Sequence, residues 1–228
     1  MTMEREMSRV HPGTAPGASR FTLQNILLVC GIGYGVAYIV ANDLIAAAIF
    51  DGYSRIDQAI SELSGTDASS RPFLNAMLPL FALLVLGFGI GVWRAAGQSR
   101  ALRMVGGILI AQAIMFPLWL LFPMTSRDQM VQATSHANDI GHMVLSALAV
   151  LFIVVELALS AAALGTGFRY FAITMMITAL GAGGYVASTT SDVGAGEPTP
   201  WMGFVERVSY GSWLLWMAVL AIVLLRRK

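Results

Sequence analysis

Six apolar runs alternate with short polar segments along the chain, at about 23–50, 72–93, 104–122, 140–164, 170–187 and 208–225. A membrane-spanning helix needs about 20 mostly apolar residues, and each run meets that length or comes close to it. The pattern predicts an all-α integral membrane protein. Its single domain, residues 23–228, is a bundle of six transmembrane helices preceded by a polar, flexible tail over 1–22 that contains Pro12, Gly13, Pro16 and Gly17. The first run exceeds the 7–15 residues, roughly, of a signal-peptide core. The small residues Ala46, Ala47 and Ala48 leave cleavage there as a minor alternative.

Composition points the same way. Of the 228 residues 57% are hydrophobic and 12% charged, and the mean hydropathy is +0.70. An average soluble domain carries about 25% charged residues. The balance excludes a disordered chain and an ordinary soluble globule. A net charge of +1 supplies no basic surface for nucleic acid. Cys30 is the only cysteine, so no disulfide framework or paired-cysteine motif is present.

Basic residues near span ends stay on the cytoplasmic side. Ten fall on one side: Arg5, Arg9, Arg20, Arg94, Arg100, Arg103, Arg169, Arg226, Arg227 and Lys228. Four fall on the other: Arg55, Arg71, Arg127 and Arg207. Both termini are therefore expected in the cytoplasm, with the acidic loops outside. Gly31, Gly33 and Gly35 punctuate the first span, and Gly87, Gly89 and Gly91 the second. Each set holds a Gly-x-x-x-Gly step, which lets helix backbones approach closely in lipid. The first two helices are expected to touch there, and Pro79 and Pro117 are expected to bend their spans.

Several chemistries drop out. Lys228, the last residue, is the only lysine, so no retinal-type Schiff base forms inside a helix. The histidines are His11, His136 and His142, none placed for transmembrane haem ligation. There is no Gly-x-Ser-x-Gly elbow, His-Glu-x-x-His or phosphate-cradling loop.

What remains is polar clustering on the expected outer side. Ser135, His136, Asn138, Asp139 and His142 form the densest group, with a His-x-x-Asp-x-x-His pattern. Steps of three on a helix make Asp139 a neighbour of each histidine, while the histidines lie about 120° apart. Asp139 with His136 or His142 is a candidate zinc site. The plainer reading has Ser135 capping the helix and Asp139 at its favourable end. The first outer loop reads as a short interfacial helix, in which Ser61 or Glu62 serves as nucleophile, base or ligand, or as a solvated face. Glu206–Arg207 reads as an ion pair or as a partner for a histidine. Glu156 lies well inside the fourth span, where a charge costs about 2.5–3.5 kcal/mol on insertion scales. It is expected to face the interior and to pair with Gln112, Thr174 or Thr178, or to be neutral.

The Ile-Ser-Glu-Leu core at 60–63, Phe122-Pro123, His142 and Glu206-Arg207-Val208 together resemble the six-helix bacterial membrane family catalogued as domain of unknown function 998. That resemblance covers most of the chain after residue 22 and implies six spans with polar motifs gathered on one side. A looser likeness is to membrane hydrolases of the ceramidase and adiponectin-receptor type, which use Ser, Asp and three His around zinc. The chain departs from that set in lacking a third histidine near the site and the His-x-x-x-His pair.

The expected function is a site on the outer face that acts on lipid or a small polar substrate. As an enzyme it would perform metal- or His-assisted hydrolysis. His142 would be ligand or base, Asp139 ligand or orienter, and Ser61 or Glu62 the reacting partner, with His136, Asp139 and His142 as metal ligands. The rival expectations are a proton-coupled small-molecule transporter using Glu156 and a non-catalytic assembly subunit. Membrane lipids are the expected partners, together with another membrane protein or a second copy. The expected location is the bacterial cytoplasmic membrane.

Overall fold

A computed structural model describes residues 22–130 and 137–227. Six helices are long and apolar enough to cross a membrane: α1 Leu23–Ile49, α2 Arg71–Ala95, α3 Arg100–Leu121, α4 Ala137–Ala163, α5 Thr166–Ala195 and α6 Met202–Arg226. The chain is thus a multi-pass membrane protein. Large apolar side chains point outward along the spans. Leu83, Ile114 and Ile177 are each at least 65% exposed. Such a surface is a liability in water and the natural boundary of a protein in hydrocarbon.

The helices form a closed ring in which each packs on its neighbours in chain order and α6 packs back on α1. An even number of crossings returns the chain to the face where it started. One face of the ring therefore carries the ends of α1 and α6 nearest the termini. The other, the loop face, carries 50–70, 122–130 and 196–201. Tight connections join α2 to α3 and α4 to α5. Ser99 caps α3 by accepting from the Leu102 N–H, and Gly97 takes a left-handed φ of 54° in the turn before it.

Glycine sets the spacing of the first three helices. Gly91 lies on the backbone of Leu27 and Leu28, where an added Cβ would come within 2.9 Å of a carbonyl carbon. Gly31 meets the ring of the buried Phe88, and Gly89 faces Gly106 across the α2–α3 contact. The expected contact of the first two helices is present through Gly31, Gly87 and Gly91, while Gly35 turns toward α6 and Leu214 instead.

Three helices depart from regular form, α5 by a break at Thr189 between Thr166–Ser188 and Thr190–Ala195. Residues Val40–Ala46 of α1 make a π-helical stretch before the chain resumes as Ala47–Ile49. α3 breaks at Phe116–Pro117 and resumes over Leu118–Leu121, as a proline without an N–H requires. The first loop differs from the expected interfacial helix. Ile60–Ser64 is a single 3-10 turn with Ile60, Glu62 and Leu63 buried, so this segment fills the open end of the ring rather than lying on the membrane surface.

Candidate functional site

The 3-10 turn is clamped by carboxylates. Its first N–H groups have no partners inside the helix. Glu62 accepts from the Ala59 N–H at 2.8 Å, and Glu206 accepts from the Ile60 N–H. Glu62 is also gripped by both arms of Arg127, Nε to Oε2 and Nη2 to Oε1, each at 2.8 Å, and by the Gln58 amide at 3.0 Å. A paired fork of this kind is the strong form of ion pair, and the bond to Glu62 holds the Arg127 guanidinium above its usual range. Glu62 is only 6% exposed with all these partners made. It therefore fixes the loop and has little freedom to act as a base.

Glu206 and Arg207 do not pair with each other. Arg207 turns to Asp43 of the π-helical stretch, Nε to Oδ1 at 2.6 Å. It also donates to the carbonyls of Arg55 and Gly203 and to the Tyr53 hydroxyl, each at 3.0 Å. Tyr53 bonds the carbonyls of Gln58 and Ala59, and its burial pushes the phenol up to about 12 against the pull of Arg207. The expectation paired neighbours in sequence. Successive helical residues point about 100° apart, so Glu206 faces the turn while Arg207 faces α1.

His142 and Asp139 share no hydrogen bond with these groups. His142 Nδ1 bonds the Phe122 carbonyl at 3.0 Å, with its ring edge-on to Trp119. Asp139 accepts from the Thr125 N–H at 2.8 Å. The Ser61 hydroxyl donates to Met124 Sδ at 3.2 Å. His142, Asp139 and Ser61 thus meet the same strap, 122–125, from different sides, without a hydrogen bond among themselves. His136 and Ser135 lie outside the described residues. Among the described residues no three His, Cys, Asp or Glu side chains gather as a metal would require.

The ring interior holds a second polar set. Glu156 is fully buried, and its Oε2 accepts from the Trp213 indole N–H at 2.9 Å. None of Gln112, Thr174 and Thr178 bonds it. Thr174 turns back to the Tyr170 carbonyl, the usual alternative for a helical threonine. Glu156 Oε1 and Gln112 Oε1 are both buried without a hydrogen-bond partner among the described residues. One turn further along α4, Ser160 accepts from the Trp216 indole at 3.0 Å. Toward the loop face, the hydroxyls of Tyr34 and Tyr210 bond each other, Tyr210 stacks on Tyr38 at 4.5 Å, and Trp213 packs edge-on to Tyr34.

Arg207, Tyr210, Trp213 and Trp216 follow at steps of three along α6. Each step lags the helical repeat by about 60°. The file therefore winds from α1, where Asp43 and Tyr34 receive it, to α4, where Glu156 and Ser160 do. Asp43 carries a signal in the sequence, being the one charged residue within 23–50. Nothing in the spacing marks Trp213, whose role depends on which helices the ring sets opposite each other.

Two hollows flank these networks. One, of about 340 Å³ at the loop face, is lined by Gln58, Glu62, Asp67, Arg127 and Asp128 among others. The other, of about 390 Å³, is a trough between α1 and α6 that ends at Asp43 and Arg207.

No curated protein and no solved structure matches the chain, and the likeness to zinc hydrolases finds no support. The sequence model of the family described as "Protein of unknown function (DUF998)" matches residues 32–223, a stretch that takes in the 3-10 turn, His142, Glu156 and Glu206–Arg207. The chain belongs to the DUF998 family.

Proposed function

We propose that the protein is a proton-coupled carrier of a small molecule, with Glu156 as the group that takes up and releases the proton. The observation behind this reading is the state of that carboxyl. It is fully buried in the ring, one oxygen is held by Trp213, and the other has no partner among the described residues. An ionised carboxylate so placed, with no cation beside it, is costly, and intramembrane ionisable groups commonly mark ion and proton pathways. The Tyr34–Tyr210 hydroxyl pair and Tyr38 give a polar line from this interior toward Asp43 and Arg207 at the loop face. Leu157, Met217 and Leu220 below Glu156 are fully buried, as is Tyr34 on its loop-face side. In a bacterial cytoplasmic membrane this arrangement is a carrier with its proton site closed off from both faces.

The test is transport in proteoliposomes that enclose a pH-sensitive dye and are challenged with fractionated small metabolites. The wild type is expected to give a substrate-dependent pH change that Glu156→Gln removes, because glutamine keeps an oxygen for Trp213 and carries no exchangeable acid. Equal responses from the two proteins, or none from either, overturn the reading.

A further inference from the structure

The trough between α1 and α6 has the form of a lipid site. Its floor is opened by Gly35 on α1 and Gly211 on α6, and a Cβ added to Gly211 would meet nothing within 4 Å. Its rims include Val36 and Leu215, 59% and 50% exposed, so it opens sideways into hydrocarbon. A volume of about 390 Å³ falls within the usual range of ligand sites, about 300–1,000 Å³. At the loop-face end the apolar walls give way to Tyr38, Asp43 and Arg207.

The unused bonding capacity at that end is specific. A guanidinium has five N–H donors. Arg207 uses Nε on Asp43, Nη1 on two carbonyls and one Nη2 hydrogen on Tyr53. One donor remains. Asp43 gives Oδ1 to Arg207, and its Oδ2 has no hydrogen bond among the described residues. Neither side chain is sealed, with 17% and 24% exposure. The pair thus offers one acceptor and one donor, each beside a charge.

We propose that this trough binds a zwitterionic phospholipid with a primary ammonium headgroup. The acyl chain lies along Gly35, Gly211 and Ala218, the ammonium donates to Asp43 Oδ2, and the phosphate accepts from Arg207 Nη2. A phosphatidylglycerol headgroup brings no cation for Asp43. A quaternary ammonium has no N–H for Oδ2. The primary ammonium matches both groups, and the depth of Asp43, near the loop-face end of α1, places them among headgroups. This site does not depend on proton coupling at Glu156.

The experiment is native mass spectrometry of the full chain in detergent, titrated with phosphatidylethanolamine, phosphatidylcholine and phosphatidylglycerol of identical chains. The wild type is expected to retain the ethanolamine lipid about tenfold more tightly than either other lipid. Asp43→Asn is expected to erase that preference. A Cβ at Gly211 has nothing within 4 Å, so Gly211→Leu enters the trough from an open position and is expected to lower retention of the ethanolamine lipid while thermal stability holds. Equal binding of the three lipids by the wild type means ordinary boundary lipid and overturns the proposal. So does a preference that survives Gly211→Leu unchanged. Where Asp43→Asn fails to fold, Gly211→Leu decides alone.

Discussion

Trp213 donates its indole N–H to Glu156 at 2.9 Å across the interior of the ring, tying two helices that are separated by α5. The bond supplies the one partner that the buried carboxyl has among the described residues. Trp213→Phe keeps most of the packing and orphans both oxygens of Glu156. A buried polar group left unsatisfied costs about 1–3 kcal/mol, whereas replacing both partners by apolar groups is near neutral. Thermal unfolding in detergent is expected to show Trp213→Phe destabilised, and the double variant Trp213→Phe with Glu156→Leu closer to wild type.

The Arg127 fork on Glu62 holds the plugging turn in place. Removing one member of a fully buried pair costs about 3–5 kcal/mol. The Arg127 side chain is 22% exposed, so water recovers part of that. Arg127→Met is expected to lose about 2 kcal/mol on the same scale, and Arg127→Lys, which cannot fork, is expected to fall between. Limited proteolysis should then cut within 50–70 in Arg127→Met before it cuts the wild type.

Glycines in the ring are not equivalent. A Cβ at Gly91 presses on the α1 backbone, which cannot move aside cheaply, while one at Gly165 meets nothing within 4 Å. Overpacking costs about 1–3 kcal/mol. Gly91→Ala is expected to lower the unfolding temperature, and Gly165→Ala to leave it unchanged.

Tyr53 gives a pH signature. Its phenol stands at about 12 in the fold, against about 10 in an unfolded chain. Between these values the unfolded chain has lost the proton and the folded one has kept it. The stability that Tyr53 contributes is therefore complete below pH about 10 and drains away toward about 12. Melting temperatures measured across that window should fall more steeply for the wild type than for Tyr53→Phe.

Orientation is accessible to labelling. Gly194, exposed beyond the main run of α5, becomes a reporter as Gly194→Cys in a Cys30→Ser background. An impermeant thiol reagent is expected to label it in intact cells. Labelling that appears only after lysis would place the loop face inside and reverse the topology expected from the arginines.

The six spans were legible because lipid demands a long apolar run for each helix, and the glycine contacts of α1 with α2 because close approach demands small residues. Boundaries were less so. The sixth apolar run begins near Val208, yet its helix starts at Met202, since Glu206 and Arg207 break the apolar pattern while their side chains are satisfied by the loop and by Asp43. The chemistry was hardest to read. His142 and Glu62 stood out as residue types, but their roles depend on which backbone groups lie beside them. For His142 that is the Phe122 carbonyl, and for Glu62 the Ala59 N–H, and neither is encoded by spacing. Likewise Glu156 drew attention as a buried acid, whereas its partner came from a helix two positions away around the ring.

Ring closure through α6 also bears on how the protein is made. As the chain emerges from the ribosome, α1 enters the bilayer with Asp43, the first loop follows, and α4 arrives with Glu156. Each waits for α6, which carries Arg207, the Glu206 carboxylate for Ile60 and the Trp213 indole. Until that helix inserts, Asp43 lacks its guanidinium, Glu156 lacks its indole donor and the Ile60 N–H lacks its acceptor. Completion of α6 supplies all three in one step, so the polar contacts of α1, the first loop and α4 form only when the last helix is in place.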